Sequence, residues 1–248
     1  MPIRSRNLYT PGSPDPFKLS RSKVQMFLEC PRCFYLDRRL RVDRVDGPAF
    51  TLNSATDALL KKEMDAFRER REVPPIAAQH GLNAVPFQHP QMDDWRANFR
   101  GVTYLHPESN LQLSGAIDDL WQDLQTGELI VVDYKSTSST KPIDLNDAWK
   151  QSYKRQMEFY QWLLRRNGLT ISNRGYFLYV NARTDPDAFH DQLLFTSQLI
   201  PYDGNDDWVD ETITAAGQCL AGSQAPAATA DCKWCDYRTC ASAVLTGH

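Results

Sequence analysis

Apolar and polar positions change rhythm several times along the chain. Residues 1–18 are proline-rich and read as extended. Ser22 and Gln25 have the spacing of a capping box, and Val24, Phe27 and Leu28 follow at helical spacing, which predicts a helix to about Cys30. Phe34 to Leu40 reads as a short continuation. Asn53 is placed to cap a second helix that carries Leu59, Leu60, Met64 and Phe67. Residues 71–110, rich in Pro, Gln, His and Asn, predict loops with short helical pieces around Trp95 and Phe99. The pattern then turns strand-like. "LQLSGAIDDLWQDL" and "ELIVVDYKST" are joined by Thr126-Gly127, a hairpin signal with a two-residue turn. Residues 143–166 read as one long helix, with Trp149, Tyr153, Gln156, Tyr160 and Leu163 three and four apart. "RGYFLYVN" and "HDQLLFTSQLI" predict strands, and "DDWVDETITAAGQCLAG" a helix ending near Gly222. A cysteine-bearing tail follows.

This succession predicts an α/β (α+β) fold with a central mixed β-sheet flanked by helices. The expected layout is one domain over 1–248: a helical and loop segment at 19–110, a core at 111–200, and a helix with a cysteine tail at 203–248. The 248 residues, 42% hydrophobic and 24% charged, suffice for one large domain. No run approaches the ~20 apolar residues of a membrane span, and the first residues lack the apolar stretch of a signal peptide. A cytoplasmic protein is expected, in which cysteines point to metal or redox roles. The net charge of −3 gives no global nucleic-acid signature. Residues 1–44, however, carry ten Lys/Arg against four Asp/Glu. Such a segment either touches phosphates or is a solvated face.

The hairpin concentrates chemistry. With a two-residue turn, paired positions place Gln125 opposite Glu128 and Asp118 opposite Lys135. Asp133 is then diagonal to Asp118 on the same face, because side chains alternate with period 2. Two carboxylates suit a hard divalent cation, Mg²⁺ or Mn²⁺. Such a cation polarises a phosphodiester, and a neighbouring lysine offsets developing charge. The competing reading is a surface salt bridge, worth at most about 1 kcal/mol.

Three pieces in order, Gly115-Ala116-Ile117-Asp118, Asp133-Tyr134-Lys135 and Gln156-Met157-Glu158-Phe159-Tyr160, resemble the motifs of the PD-(D/E)XK nuclease superfamily. The resemblance is to its RecB-like branch, which includes bacterial recombination nucleases and the CRISPR-associated adaptation exonucleases. "LSRSKVQMFLECPRCFYL" and "DCKWCDYRTC" share in it; residues 71–110 do not. The resemblance implies a restriction-endonuclease-like core. Asp118 and Asp133 would hold Mg²⁺ or Mn²⁺, with the Tyr134 carbonyl as third ligand and Lys135 as catalytic lysine. Gln156 and Tyr160 would lie near the nucleic-acid strand. Where many relatives carry a metal-binding histidine, "LNSATDALLKKEMD" offers Asp57. The implied activity is metal-dependent hydrolysis of DNA, single-stranded or with free ends, as an exonuclease before an endonuclease, in repair, recombination or defence. Arg21, Lys23, Arg38 and Arg39 would line the strand path, with Tyr160 or Trp149 available for stacking. The alternative is a module of the same fold that binds nucleic acid or a protein with little turnover.

Six cysteines remain. Cys219 lies on an apolar helix and reads as core. The tail has Cys232, Cys235 and Cys240 as Cys-x2-Cys-x4-Cys, and the head has Cys30-Pro-Arg-Cys33. Thiolates suit zinc and iron alike, so spacing leaves two arrangements open. The resemblance favours a [4Fe–4S] cluster on Cys30, Cys232, Cys235 and Cys240. The other is a Cys₄ zinc site from Cys30, Cys33, Cys232 and Cys235. Either would clamp the two chain ends together.

Overall fold

The computed structural model describes residues 7–45, 47 and 51–246. In chain order these form β1 (Phe17–Ser20), α1 (Arg21–Glu29), α2 (Pro31–Arg39), α3 (Thr51–Arg70), α4 (Pro75–Gln79), β2 (Ala84–Pro86), α5 (Met92–Arg96) and β3 (Val102–His106). There follow β4 (Leu111–Gly115), β5 (Asp119–Asp123), β6 (Leu129–Thr137), α6 (Gln151–Arg166) after one 3-10 turn, β7 (Arg174–Ala182), β8 (Phe195–Asp203), α7 (Trp208–Ala221) and α8 (Lys233–Thr246). The class is mixed α/β, as the patterning predicts, but the strands divide between two sheets. The chain divides into two compact units, one of them made of three separate segments.

The first unit holds the chain up to Gly47, Thr103–Ser114 and Asp207 onward. Its sheet has the order β1-β4-β3, with β1 parallel to β4. Leu19, Leu111 and Leu113 are fully buried in it. Helix α7 packs on α1 and α2. Its last carbonyls would be orphans, and Arg39 donates to those of Leu220 and Gly222.

The second unit holds Pro48–Val102 and Gly115–Asp206. Its five-stranded sheet has the order β2-β5-β6-β7-β8. Strands β6 and β7 run parallel, which demands a long crossover, and α6 supplies it. Strand β6 is central, and Leu129 through Tyr134 are all buried. Both faces must therefore be covered. On one face Ile130, Val132 and Tyr134 pack with Trp121, Leu178, Leu199 and Met64 of α3. On the other, Lys135 reaches Gln156 of α6.

One buried ion network ties α3 to this sheet. Asp119, with no exposed surface, accepts hydrogen bonds from Arg68, from the Trp121 Nε1–H at 3.1 Å and from the Tyr134 hydroxyl at 2.7 Å. Arg68 also donates to the Phe87 carbonyl at 2.9 Å. A buried charge is tolerable only when paired and hydrogen-bonded in this way.

Several local expectations shift. The residue before α1 is Ser20 rather than Ser22, and its hydroxyl makes no bond to the helix backbone but meets that of Ser22 at 2.9 Å. Helix α3 already begins at Thr51, so Asn53 lies inside its first turn. The run 111–124 is not one strand: it breaks at Ala116–Asp118, and β4 and β5 join different sheets. Only the second half of "HDQLLFTSQLI" forms β8, and the cysteine tail contains α8. The extended reading of residues 1–18 falls partly on 1–6, outside the described residues. No helix among the described residues is long and apolar enough to cross a membrane.

Removing Arg68 leaves Asp119 charged and buried. Arg68→Met is expected to destabilise the protein by about 3–5 kcal/mol. Urea denaturation followed by far-UV circular dichroism measures this; a loss below about 1 kcal/mol contradicts it.

Candidate active site

The β5–β6 register differs from the expected one by two residues. Asp119 pairs with Val132 and Gln122 with Leu129. The turn is longer because Asp123 closes it, accepting from the backbone N–H groups of Gln125 at 2.7 Å and Thr126 at 3.0 Å. A shift of two preserves the face of every side chain; a shift of one would have reversed it. Asp118 therefore still meets the end of β6 that carries Asp133 and Lys135. Its Oδ2 accepts the Tyr134 backbone N–H at 2.8 Å. Tyr134 holds both acids of the Asp118-Asp119 pair, one through its backbone and one through its hydroxyl.

Asp133 is fully buried. Its Oδ2 is ion-paired with the Lys135 ammonium, and its Oδ1 has no hydrogen-bond partner among the described residues. Lys135 also lies 3.5 Å from Gln156 Oε1, and Gln156 Nε2 donates to the Tyr160 hydroxyl at 3.1 Å. The Gln-x-x-x-Tyr pair on α6 thus joins the triplet through Lys135. Gly115 has a steric reason: a Cβ there would stand 2.7 Å from Tyr160 Cε1. Only a residue without a side chain lets the strand end approach that ring.

The electrostatics follow from burial. Burial and the neighbouring Asp133 charge push the Asp118 carboxyl up to about 6, against the opposing influence of Lys135, Lys61 and the Tyr134 N–H. For Lys135, burial works to lower the pKa, but the Asp133 and Asp118 charges outweigh it and hold the ammonium above its ordinary value. Lys135 is thus a permanent cation at neutral pH.

Asp57 lies on α3 and lines an open cleft of about 500 Å³ together with Asn53, Asn98, Tyr134, Lys135 and Tyr153. It is paired with Lys61 at 2.9 Å, and Lys61 reaches Asp118 Oδ1 at 3.7 Å. The structure does not gather Asp57, Asp118 and Asp133 into one three-ligand group. Trp149 is 61% exposed and meets Tyr153 edge-on at 5.5 Å, and the Lys135 ammonium lies 4.8 Å from the Tyr153 ring centroid.

The basic residues of the first unit have local work. Lys23 and Arg38 both pair with buried Asp37, and Arg39 caps α7. Arg21 is half-buried on the first turn of α1.

Sequence reading missed Lys61, Arg68, Asp119 and Tyr179. Lys61 stands four residues after Asp57, a helical spacing that signals the pair. Tyr179 lies beside Lys135 in the parallel β6–β7 register, and its buried hydroxyl has no hydrogen-bond partner among the described residues. Burial, Tyr153 and Asp133 all raise its pKa.

In the first unit, Cys30, Cys33, Cys232 and Cys235 are buried, with their sulfurs all within 4.8 Å of one another. Four clustered thiols of this kind can hold a metal ion. Cys240, a ligand in one of the two expected arrangements, is exposed and lies outside this cluster, which instead contains Cys33, the alternative. The reason is helical: five residues on from Cys235, Cys240 is rotated about 140° around α8. Burial works to raise the Cys30 thiol, but hydrogen bonds from Cys33, Thr229, Cys232 and Cys235 bring it down to about 6. Cys235 is pushed up to about 12, by burial first. Cys219 is half-buried on α7, with its thiol raised by burial.

A family model described as the PD-(D/E)XK nuclease superfamily matches residues 18–240. The chain belongs to that superfamily, a class of nuclease-type phosphodiester hydrolases. Comparison with curated protein sequences finds no significant match.

In metal-free protein the Asp118 carboxyl is expected to titrate near pH 6, charged above and protonated below. Asp133→Asn removes a raising charge and lowers the midpoint; Lys135→Ala removes a lowering one and raises it. Carbon-13 NMR of labelled carboxyl groups measures both shifts, and a midpoint near 4 in all three proteins contradicts the assignment.

Proposed function

We propose that the chain is a metal-dependent DNA nuclease of the RecB-like branch, with its active site at the ends of β5 and β6. The observation that supports this most is buried Asp133, whose Oδ1 has no partner among the described residues while Asp118 and Lys135 adjoin it. An orphaned buried carboxylate oxygen beside a second carboxylate suits a hard cation. Asp118 and Asp133 would hold Mg²⁺ or Mn²⁺, with the Tyr134 carbonyl completing the set and Asp57 assisting from α3. When bound, the ion supplies Lewis acidity to the phosphodiester.

The chain's own residues do the rest. Lys135, charged at neutral pH, orients the attacking water and offsets charge on the phosphoryl oxygens; its raised pKa makes it unsuited to be the base. Gln156 holds Lys135 and Tyr160 in register. Water adds to phosphorus and gives up a proton to solvent, one ester P–O bond breaks, and the leaving oxygen takes up a proton from solvent, so the net change is addition of one water. The exposed Trp149, beside Tyr153, offers a stacking surface for an unpaired base, which favours single-stranded or end-bearing DNA and an exonuclease. A binding module of the same fold is the second reading. It is favoured by Lys135 and Lys61, which already stand against both carboxylates.

End-labelled single- and double-stranded DNA with Mg²⁺ or Mn²⁺ separates the two. The nuclease cuts, stops on chelation, and loses about 10²–10⁴-fold in rate in Lys135→Ala and Asp133→Asn proteins. Tight DNA binding without metal-dependent cleavage supports the second reading, and equal rates in wild type and variants overturn the first.

A further inference from the structure

We propose that Cys30, Cys33, Cys232 and Cys235 bind one zinc ion, and that Cys240 is not a ligand. The sulfur separations carry the assignment. Cys33 Sγ lies 3.5 Å from Cys232 Sγ and 3.6 Å from Cys235 Sγ, and Cys30 Sγ lies 3.8 Å from Cys235 Sγ. A tetrahedron with metal–sulfur bonds of about 2.3 Å has edges of about 3.8 Å. Three of the six edges thus already match those of a single tetrahedral ion, and the other three lie within 4.8 Å. A four-iron cube sits between its thiolates and spreads them well beyond that edge.

The ligand set agrees with the local backbone. Each half is a Cys-x2-Cys knuckle at a helix start, one on α2 and one on α8. The Cys235 N–H donates to the Cys232 carbonyl at 2.9 Å, and the Phe34 N–H to the Cys30 carbonyl at 3.1 Å. Met26, Ala228 and Trp234 pack around the sulfurs and shield them. Four thiolates on one divalent ion leave two net negative charges. Arg238 Nη1 donates to Cys33 Sγ at 3.5 Å, and its Nη2 donates to the Asp43 carbonyl at 3.0 Å. Outer cations of this kind orient ligands and offset their charge. The ion would close a chain loop of about 200 residues, and its binding free energy would be folding free energy for this unit.

The test uses the full chain, expressed with added iron and purified without oxygen. Metal analysis is expected to give about one zinc per chain, with no stoichiometric iron or inorganic sulfide. Replacing the metal with Co²⁺ should produce the visible bands of a tetrahedral tetrathiolate site; this reading needs no variant to fold. Cys240→Ser should keep the metal, and Cys33→Ser should lose most of it. Iron with sulfide and a broad band near 400 nm, lost in Cys240→Ser and kept in Cys33→Ser, overturns the proposal. So do zinc retained in Cys33→Ser, or thiols that hold no metal in the reduced protein.

Discussion

The carboxylate of Asp119 cannot be buried alone, and much of the second unit's architecture meets that constraint. Its partners come from three elements: Arg68 from α3, Trp121 from its own strand β5, and Tyr134 from β6. Removing Arg68 strands a charge in the core, at a cost of several kcal/mol, and losing either neutral donor costs a hydrogen bond to that charge. The network thus fixes α3 and β5 relative to β6 independently of apolar packing. Apolar contacts tolerate sliding; a carboxylate with directional donors does not.

The proposed active site inherits that rigidity by adjacency. Asp118 precedes Asp119, and its own anchor is the backbone of Tyr134, whose hydroxyl serves Asp119. Asp133 precedes Tyr134 and takes its position from the same central strand. Helix α3, held by Arg68, presents Lys61 to Asp118. Helix α6 then brings Gln156 and Tyr160 to Lys135, and Gly115 leaves room for the Tyr160 ring. Three carboxylates, Asp57, Asp118 and Asp133, face two ammonium groups, so in the metal-free chain the charge here is only partly offset. A divalent ion would take over that balance and leave Lys135 available to a phosphate.

Much of this was legible in the sequence because alternation is robust. The hairpin register was off by two, since Asp123 lengthens the turn, yet parity put Asp118, Asp133 and Lys135 on one face all the same. The long helix starts at Gln151 rather than at 143, yet the Gln156–Tyr160 spacing holds for a similar reason: a face repeats every turn wherever the helix starts. What stayed hidden was non-local. Nothing near Arg68 says that it meets a carboxylate 51 residues away. Nothing in "LQLSGAIDDLWQDL" says that it splits between two sheets, because both halves alternate alike. For the cysteines, counting residues gave both candidate sets, and only the helical rotation of α8 separates Cys235 from Cys240. The basic head segment looked free in composition, but Lys23 and Arg38 serve buried Asp37.

The central claim is that buried Asp133 and its neighbour Asp118 form a divalent-cation site rather than a static ion-pair cluster. Anomalous diffraction from crystals loaded with Mn²⁺ tests it most directly. The account predicts a manganese peak in contact with both the Asp118 and Asp133 carboxylates. Manganese-loaded crystals with no peak there, and with Lys135 and Lys61 still paired to both acids, would contradict it.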